Sequence, residues 1–346
     1  HGYQTIRFDM PVTDRPTRVY EQKPFVPSDP TELAERCETI LTIQAYALKK
    51  RIEHTHAKKL VIGVSGGSDS SLALLVCQRA LELLRRPMTD ILAFTMPCFG
   101  TSVTTMHNSI ALANTIGATV DKIDISKSVK LHLQDIGHNA NLRDVTYENA
   151  QARERTQVLM DIANRENGLV VGTGDMSELA LGWCTYNGDQ MSMYAVNSSV
   201  PKTLVLAILQ HVSDVSSGAL KRVLADIVNT PISPELLPAE QGEITQLTEN
   251  VVGPYELHDY FLFMLTRKGF SPSKVYNLAL LSFGKKYSAA EIYKWERKFL
   301  SRFFSQQFKR GCSPDGVRLG SADLSRASFH MPSDACAELW IADLDN

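Results

Sequence analysis

Short apolar runs alternate with amphipathic stretches over the first two thirds of the chain. Four runs are apolar and partly β-branched, and they predict strands at residues 60–64, 91–96, 120–125 and 169–171. The stretches between them carry apolar residues at helical spacing. This alternation predicts an α/β fold in which a parallel sheet is covered by helices on both faces. Ligands of such sheets bind at the carboxyl ends of the strands.

The pattern of the chain changes at several points. Residues 1–29 carry four prolines and little periodicity, which predicts an extended arm or linker before an α/β domain at 30–230. Residues 231–254 are rich in Pro and Gly, and they predict a flexible lid loop. Residues 255–310 predict a helical subdomain of the same domain, with a capping box at Ser288 and Glu291. Residues 311–346 predict an irregular C-terminal tail.

Composition excludes several classes of protein. The chain has 346 residues, of which 44% are hydrophobic, so it can bury a sizeable core. A net charge of −2 argues against a nucleic-acid binder, and no apolar run approaches the ~20 residues that span a bilayer. The six cysteines show neither a CxxC pair nor zinc spacing. We therefore expect a cytoplasmic protein with reduced thiols and neither nucleic-acid nor membrane partners.

The first candidate binding site is the turn that follows the strand predicted at 60–64. That strand runs into Ser65-Gly66-Gly67-Ser68-Asp69-Ser70-Ser71, after which a helix is predicted. Unpaired backbone N–H groups at a helix N-terminus, approached closely through glycines, make an anion site. The spacing matches neither the Walker A loop nor the dinucleotide fingerprint. The alternative is a Gly-Ser turn that only starts the helix.

A second strand at 169–171 runs into Gly172-Thr173-Gly174-Asp175 and then a helix. Glu178 lies one turn into that helix and can face the same crevice as Asp69, and two such carboxylates suit an octahedral Mg²⁺. Alternatively, Glu178 only complements the helix dipole. Lys202 begins another predicted helix, where it is either a charge for a phosphate or a solvated lysine.

Two further groups of residues are weaker signals. Asn149 and Arg153 share a face of a helix predicted from about 147 to 166, and together they could clamp a carboxylate. Trp183 and Tyr186 follow the second glycine turn, and they are either core aromatics or stacking partners for a ligand ring.

These segments together carry a family resemblance. VSGGSDSS resembles the phosphate loop of the ATP pyrophosphatases (PP-loop enzymes). Together with this loop, five further segments resemble the synthetase domain of glutamine-dependent NAD⁺ synthetase, and the resemblance covers roughly residues 30–335. The five segments are GTGDMSELALGWCTY, PISPEL, GPYELHDYFL, FSPSK and QQFKRGCSPDGVRLGS. The resemblance implies a Rossmann-like, adenine nucleotide alpha-hydrolase-like fold. It also implies a ligase that uses ATP and Mg²⁺ to amidate nicotinic acid adenine dinucleotide (deamido-NAD⁺) through an acyl adenylate, releasing AMP and pyrophosphate.

The resemblance also implies roles for individual residues. Asp69, Glu178 and Lys202 would be catalytic, and Asp69 and Glu178 would hold Mg²⁺. ATP would contact Gly63, Ser65, Gly66, Gly67, Ser68, Asp69, Ser70, Ser71, Thr173, Lys202 and Ser233. The deamido-NAD⁺ site would include Asn149, Arg153, Glu178, Trp183, Cys184, Thr185, Tyr186, Asp189 and Lys309.

The implied partners follow from the same family. Its synthetase domains pair, so we expect a homodimer at least, with a larger homo-oligomer in the full-length protein. Glutamine-dependent members carry an amidase domain, which residues 1–30 cannot supply, so this chain is expected to be part of a longer protein or a truncated one. It should accept free ammonia and not hydrolyse glutamine. The alternatives are a GMP-synthetase-like amidoligase, a tRNA-modifying sulfur transferase, and a silent nucleotide-binding module.

Overall fold

A parallel sheet of five strands organises the first part of the molecule. A computed structural model describes residues 3–9, 18, 20–100, 103–139, 141–230 and 248–346. The strands are β1 (Lys59–Gly63), β2 (Ile91–Thr95), β3 (Thr119–Lys122), β4 (Gly168–Gly172) and β5 (Tyr194–Ala195). They pair in the order β3-β2-β1-β4-β5, and every pairing is parallel. The predicted α/β class with a parallel sheet is confirmed.

Helices connect the strands and form the C-terminal part. A 3₁₀ turn at Met88–Asp90 precedes β2, and a π-helical turn at Phe263–Arg267 extends the tenth helix. The α-helices described are α1 (Pro30–Thr55), α2 (Ser68–Leu84), α3 (Val103–Ile116), α4 (Ser126–Asp135), α5 (Val145–Glu166), α6 (Met176–Leu181), α7 (Lys202–Val215), α8 (Gly218–Asn229), α9 (Thr248–Val252), α10 (Tyr255–Leu262), α11 (Pro272–Phe283), α12 (Ala289–Ser305), α13 (Gln307–Gly311) and α14 (Glu338–Asp345).

Local sequence signals account for several helix ends. The side chain of Asp29 accepts a hydrogen bond from the backbone N–H of Glu32, with Pro30 at the first helical position of α1. α3 stops before Gly117, whose φ of 87° closes the helix. Ser288 and Glu291 form the predicted capping box of α12.

Three apolar clusters stabilise this arrangement. One lies on the sheet face covered by α1, α2, α7 and α8, and a second lies on the opposite face against α4 and α5. The third fills the C-terminal helical part and includes α6, so it reaches the site described below. Helices therefore cover both faces of the sheet, as predicted. No helix within the described ranges has the length and apolar character needed to cross a bilayer.

Apart from shifts of one residue at strand ends, the structure differs from the sequence-based expectation in four places. β5 was not predicted, because two residues give no recognisable apolar run. β3 ends at residue 122 rather than 125. The segment 248–252 of the expected lid loop is helical, whereas Ser233 and the other residues of 231–247 lie outside the described residues. The tail expected to be irregular ends in α14, because Trp340 packs on Phe304 with ring centroids 5.0 Å apart and Leu344 is buried.

The strand order places the candidate site. β1 lies in the centre of the sheet. The chain adds β2 and β3 on one side of β1 and then adds β4 and β5 on the other side, so the strand order reverses between β1 and β4. In open α/β sheets a crevice forms where the strand order reverses, outside the carboxyl ends of the strands. The turns that follow β1 and β4 are the two glycine turns singled out in the sequence.

Candidate functional site

The turn after β1 has the conformation of an anion-binding loop. Gly66 adopts φ +83°, and a Cβ atom there would lie 2.0 Å from the carbonyl oxygen of Thr105. The hydroxyl of Ser71 donates to the carbonyl of Gly67 at 2.8 Å, and this hydrogen bond within the turn stabilises its conformation. Among the described residues, no side chain caps the N-terminus of α2. Its first N–H groups and the helix dipole therefore remain available to a negatively charged ligand.

The turn after β4 is fixed by Asp175. One carboxylate oxygen of this fully buried residue accepts a hydrogen bond from the backbone N–H of Glu178 at 2.8 Å, so it caps the N-terminus of α6. The other oxygen lies 2.8 Å from the Nζ of Lys202. Asp175 therefore positions the start of α6 and also contributes charge to the crevice.

Lys202 joins the two turns electrostatically. Its Nζ lies 2.5 Å from Asp69 and 3.3 Å from Glu178, in addition to Asp175, and only 1% of its side chain is exposed. The ring of Tyr255 lies below the ammonium, 5.2 Å from Nζ to centroid. The interpretation of Lys202 as a solvated helix-start lysine is therefore wrong.

The charge states of this cluster follow from burial and proximity. Burial raises the pKa of Asp175 well above its ordinary value and that of Glu178 to about 7, although the Lys202 ammonium opposes both shifts. Burial lowers the pKa of Lys202, but the three carboxylates outweigh burial and raise it overall. Lys202 therefore stays protonated among three acids, and an excess of acidic groups remains for a further cation.

The three acids have the composition of a magnesium site. One oxygen each from Asp69, Asp175 and Glu178 lies within 4.8 Å of the others. Hard carboxylate oxygens are the donors that Mg²⁺ takes in proteins, usually with phosphate oxygens completing its shell. Asp175 was the residue that sequence reasoning omitted from this set, although it lies in the same glycine turn as Thr173.

A cavity of about 340 Å³ opens beside this cluster, within the size range of small-molecule sites. Its walls include Arg155 of α5, which sequence reasoning passed over in favour of Arg153. The predicted residues that line it are Gly63, Ser65, Gly67, Ser68, Asp69, Ser70, Thr173, Glu178, Trp183, Cys184 and Asp189.

The residues assigned to the dinucleotide form a second group beside the cavity. The hydroxyl of Thr185 donates to the amide oxygen of Asn149 at 2.8 Å, and the backbone N–H of Thr185 donates to Asp189 at 2.7 Å. Arg153 donates from Nε to the carbonyl of Tyr186 at 3.2 Å. The structure thus brings these five residues together, but only Asp189 among them lines the cavity.

Lys309 has a structural contact that the sequence did not indicate. Its Nζ donates to the carbonyls of Gly182 and Cys184 at 2.8 and 2.7 Å. Arg302 donates to Leu181, and the buried Arg310 donates to two further carbonyls of α6. We call Arg302, Lys309 and Arg310 the cationic clamp. Because cations stabilise the negative end of a helix dipole, the clamp anchors a six-residue helix that carries Glu178.

Comparison with known proteins identifies relatives of the chain. The family model for NAD synthase matches residues 40–298. The glutamine-dependent NAD(+) synthetase of Mycobacterium tuberculosis is 42% identical over 354 residues, covering 95% of this chain and 52% of that protein. The chain thus spans about half the length of its mycobacterial relatives. An NH(3)-dependent NAD(+) synthetase from Hyperthermus butylicus is 31% identical over 71% of this chain and 82% of its own length.

Solved structures share the fold. The crystal structure of a glutamine-dependent NAD(+) synthetase from Cytophaga hutchinsonii superposes with a TM-score of 0.73, at 19% identity, over 90% of this chain and 56% of that chain. The NMN synthetase of Francisella tularensis superposes with a TM-score of 0.56, at 21% identity, over 72% of this chain and 94% of that one. At these identities the likeness concerns the fold alone.

Proposed function

The chain belongs to the NAD synthase family, and we propose that it amidates deamido-NAD⁺ to NAD⁺ at the expense of ATP, releasing AMP and pyrophosphate. One observation carries this proposal. Lys202 contacts Asp69, Asp175 and Glu178 where the turns after β1 and β4 face each other. They lie beside the N-terminus of α2, which no side chain in the described part of the chain caps. Such a site combines N–H groups that bind anions with acidic side chains that bind a cation, and a nucleoside triphosphate with its metal ion requires both.

The reaction needs activation because a carboxylate is a poor electrophile. In the first step, a carboxylate oxygen of the nicotinate attacks the α-phosphorus of ATP. The bond from that phosphorus to the bridging oxygen breaks, and pyrophosphate leaves with the electron pair. In the second step, ammonia attacks the carbonyl carbon of the adenylate, AMP leaves, and the ammonia nitrogen loses a proton. Both steps depend chiefly on placement and on stabilising negative charge.

The residues divide between these tasks. The N–H groups of the turn at 65–71 bind the phosphates, with Thr173 and Lys202 beside them. Asp69 and Glu178 would hold Mg²⁺, with Asp175 in reach; when bound, this ion would neutralise charge on the leaving pyrophosphate. Asn149, Arg153, Trp183, Cys184, Thr185, Tyr186 and Asp189 bind the dinucleotide. Lys309 belongs to the same site, and two of the three hydrogens of its ammonium are donated to the carbonyls of Gly182 and Cys184.

We also propose the nitrogen donor and the assembly. The H. butylicus relative, which the chain matches over 82% of its length, is named an NH(3)-dependent enzyme. Its similarity supports free ammonia as the nitrogen donor for this chain. The chain works as a homodimer through this domain, with a larger homo-oligomer in a longer protein, and it is cytoplasmic.

The test combines the purified chain with deamido-NAD⁺, ATP, Mg²⁺ and ammonium. Equal yields of NAD⁺, AMP and pyrophosphate are expected, and ADP with orthophosphate would refute adenylation. Glutamine in place of ammonium should give no glutamate above the blank. Glu178→Ala should abolish turnover, because it removes an acid from the cation site. Nucleotide binding without AMP formation would favour a silent binding module instead.

A further inference from the structure

Asn197 links the two turns of the candidate site. It lies between β5 and α7 and is fully buried. Its side-chain nitrogen donates to the backbone carbonyl of Asp69 at 2.9 Å and to that of Thr173 at 3.1 Å. An amide nitrogen carries two hydrogens, so these two bonds use its whole donor capacity. One side chain therefore bonds the turn after β1 and the turn after β4 at once.

The sheet itself does not fix the distance between these turns. The ladder between β1 and β4 pairs Lys59 with Gly168, Leu60 with Leu169, and ends at Val61 and Val170. Among the described residues, no backbone hydrogen bond joins 65–71 to 172–175. Beside the side-chain ion pairs of Lys202, the bridge through Asn197 is the contact to the backbone of both turns.

A second buried amide sets the orientation of the first. Gln44 of α1 is fully buried, and its Nε2 donates to the amide oxygen of Asn197 at 3.0 Å and to the carbonyl of Val196 at 2.8 Å. This contact holds the oxygen of Asn197 away from the turns. A flipped amide would place that oxygen against two carbonyl oxygens and leave buried groups unpaired, which is unfavourable.

We propose that Asn197, oriented by Gln44, is a positioning residue that sets the spacing of the two turns and thereby the affinity for the triphosphate. It acts through the backbone of Asp69 and Thr173 and does not touch the reacting atoms. This inference rests on the proposed function, because the turns must bind ATP for their spacing to matter. The dinucleotide residues around Thr185 have their own hydrogen bonds and should not depend on this bridge.

The test measures binding of Mg·ATP by calorimetry, together with kcat and the two KM values. Asn197→Ala should weaken ATP binding and raise the KM for ATP by about tenfold or more, since about 1.4 kcal/mol corresponds to tenfold. The KM for deamido-NAD⁺ should stay within about twofold of wild type. Gln44→Met should shift ATP affinity in the same direction by less, and its effect should vanish in the Asn197→Ala background.

Ser199→Ala is the matched control, because Ser199 is a buried residue of the same segment that bonds Val317 and Asp323 instead of the turns. It should lower thermal stability without changing ATP affinity. If Asn197→Ala does not fold, the Gln44→Met variant decides. Wild-type ATP affinity in either variant, with only a stability loss like that of Ser199→Ala, would overturn the inference. Failure of the wild-type chain to bind Mg·ATP would instead refute the proposed function, and the inference with it.

Discussion

Replacing Lys202 by Met would test most directly whether its ammonium stabilises the three acidic side chains of the site. The ammonium lies within 3.3 Å of three carboxylates, and its side chain is 1% exposed. Methionine keeps much of the volume but leaves those acids facing one another without a counter-charge. Removing one partner from a buried ion pair costs about 3–5 kcal/mol, so we expect a loss of that size in the free energy of unfolding.

The assay is urea unfolding at neutral pH, with and without Mg²⁺. Without the ion, Lys202→Met should show the full loss. With Mg²⁺ at about a hundred times its dissociation constant, binding to the freed acids should restore about 2.7 kcal/mol. Lys286→Met is the control, since Lys286 is 55% exposed in its pair with Glu256 and should contribute far less. Equal losses in the two variants, or no greater effect of Mg²⁺ on Lys202→Met than on wild type, would refute the reasoning.

Three further predictions each concern one residue outside the ion pairs of Lys202. Gly66→Ala should abolish ATP binding in calorimetry, because its Cβ would meet the carbonyl of Thr105. Gly137→Ala, at φ +69° but with open space, should cost only the strain of about 1–2 kcal/mol and leave binding intact. Arg310→Met should lower stability in urea by about 3 kcal/mol, since it removes the charged donor to the carbonyls of Leu179 and Ala180 in α6. The pKa of the buried Glu296 is raised by burial to about 9, so its stabilising contribution is full below its unfolded value of 4.5 and is lost as the pH rises through 9. The free energy of unfolding of Glu296→Gln, measured in urea relative to wild type, should therefore rise by up to about 3 kcal/mol from pH 6 to pH 8. A difference between the two proteins that does not change with pH would contradict this.

The fold was largely predictable because its signals are local. Apolar runs of three to six residues marked β1, β2 and β4, and Asp29, Gly117 and Ser288 marked helix ends through contacts within a few residues. The turn after β1 was predictable for the same reason, since strand, glycines and helix follow one another in sequence. These features need no knowledge of what packs against them.

The contacts that assemble the site were not predictable, because they join residues far apart in sequence. Asp69 and Lys202 are 133 positions apart, and Asn197 lies 128 positions from Asp69. Helical spacing alone placed Arg153 on a favourable face, yet Arg155 is the arginine that lines the cavity. Likewise, only the structure shows that the ammonium of Lys309 donates to two backbone carbonyls.

The C-terminal helical part explains how short elements hold a charged site in place. Asp259 of α10 is fully buried, and it accepts hydrogen bonds from Ser177 of α6 and from the backbone and side chain of Thr203 in α7. The hydroxyl of Ser177 in turn accepts a bond from the backbone N–H of Lys202 at 2.8 Å. One carboxylate therefore satisfies the N-terminus of α7 and fixes α6 beside it, while the cationic clamp holds the other end of α6. Since α6 has only six residues and cannot be stable alone, the position of Glu178 depends on both contacts. The helical part is accordingly a structural requirement of the site rather than an appendage to the sheet.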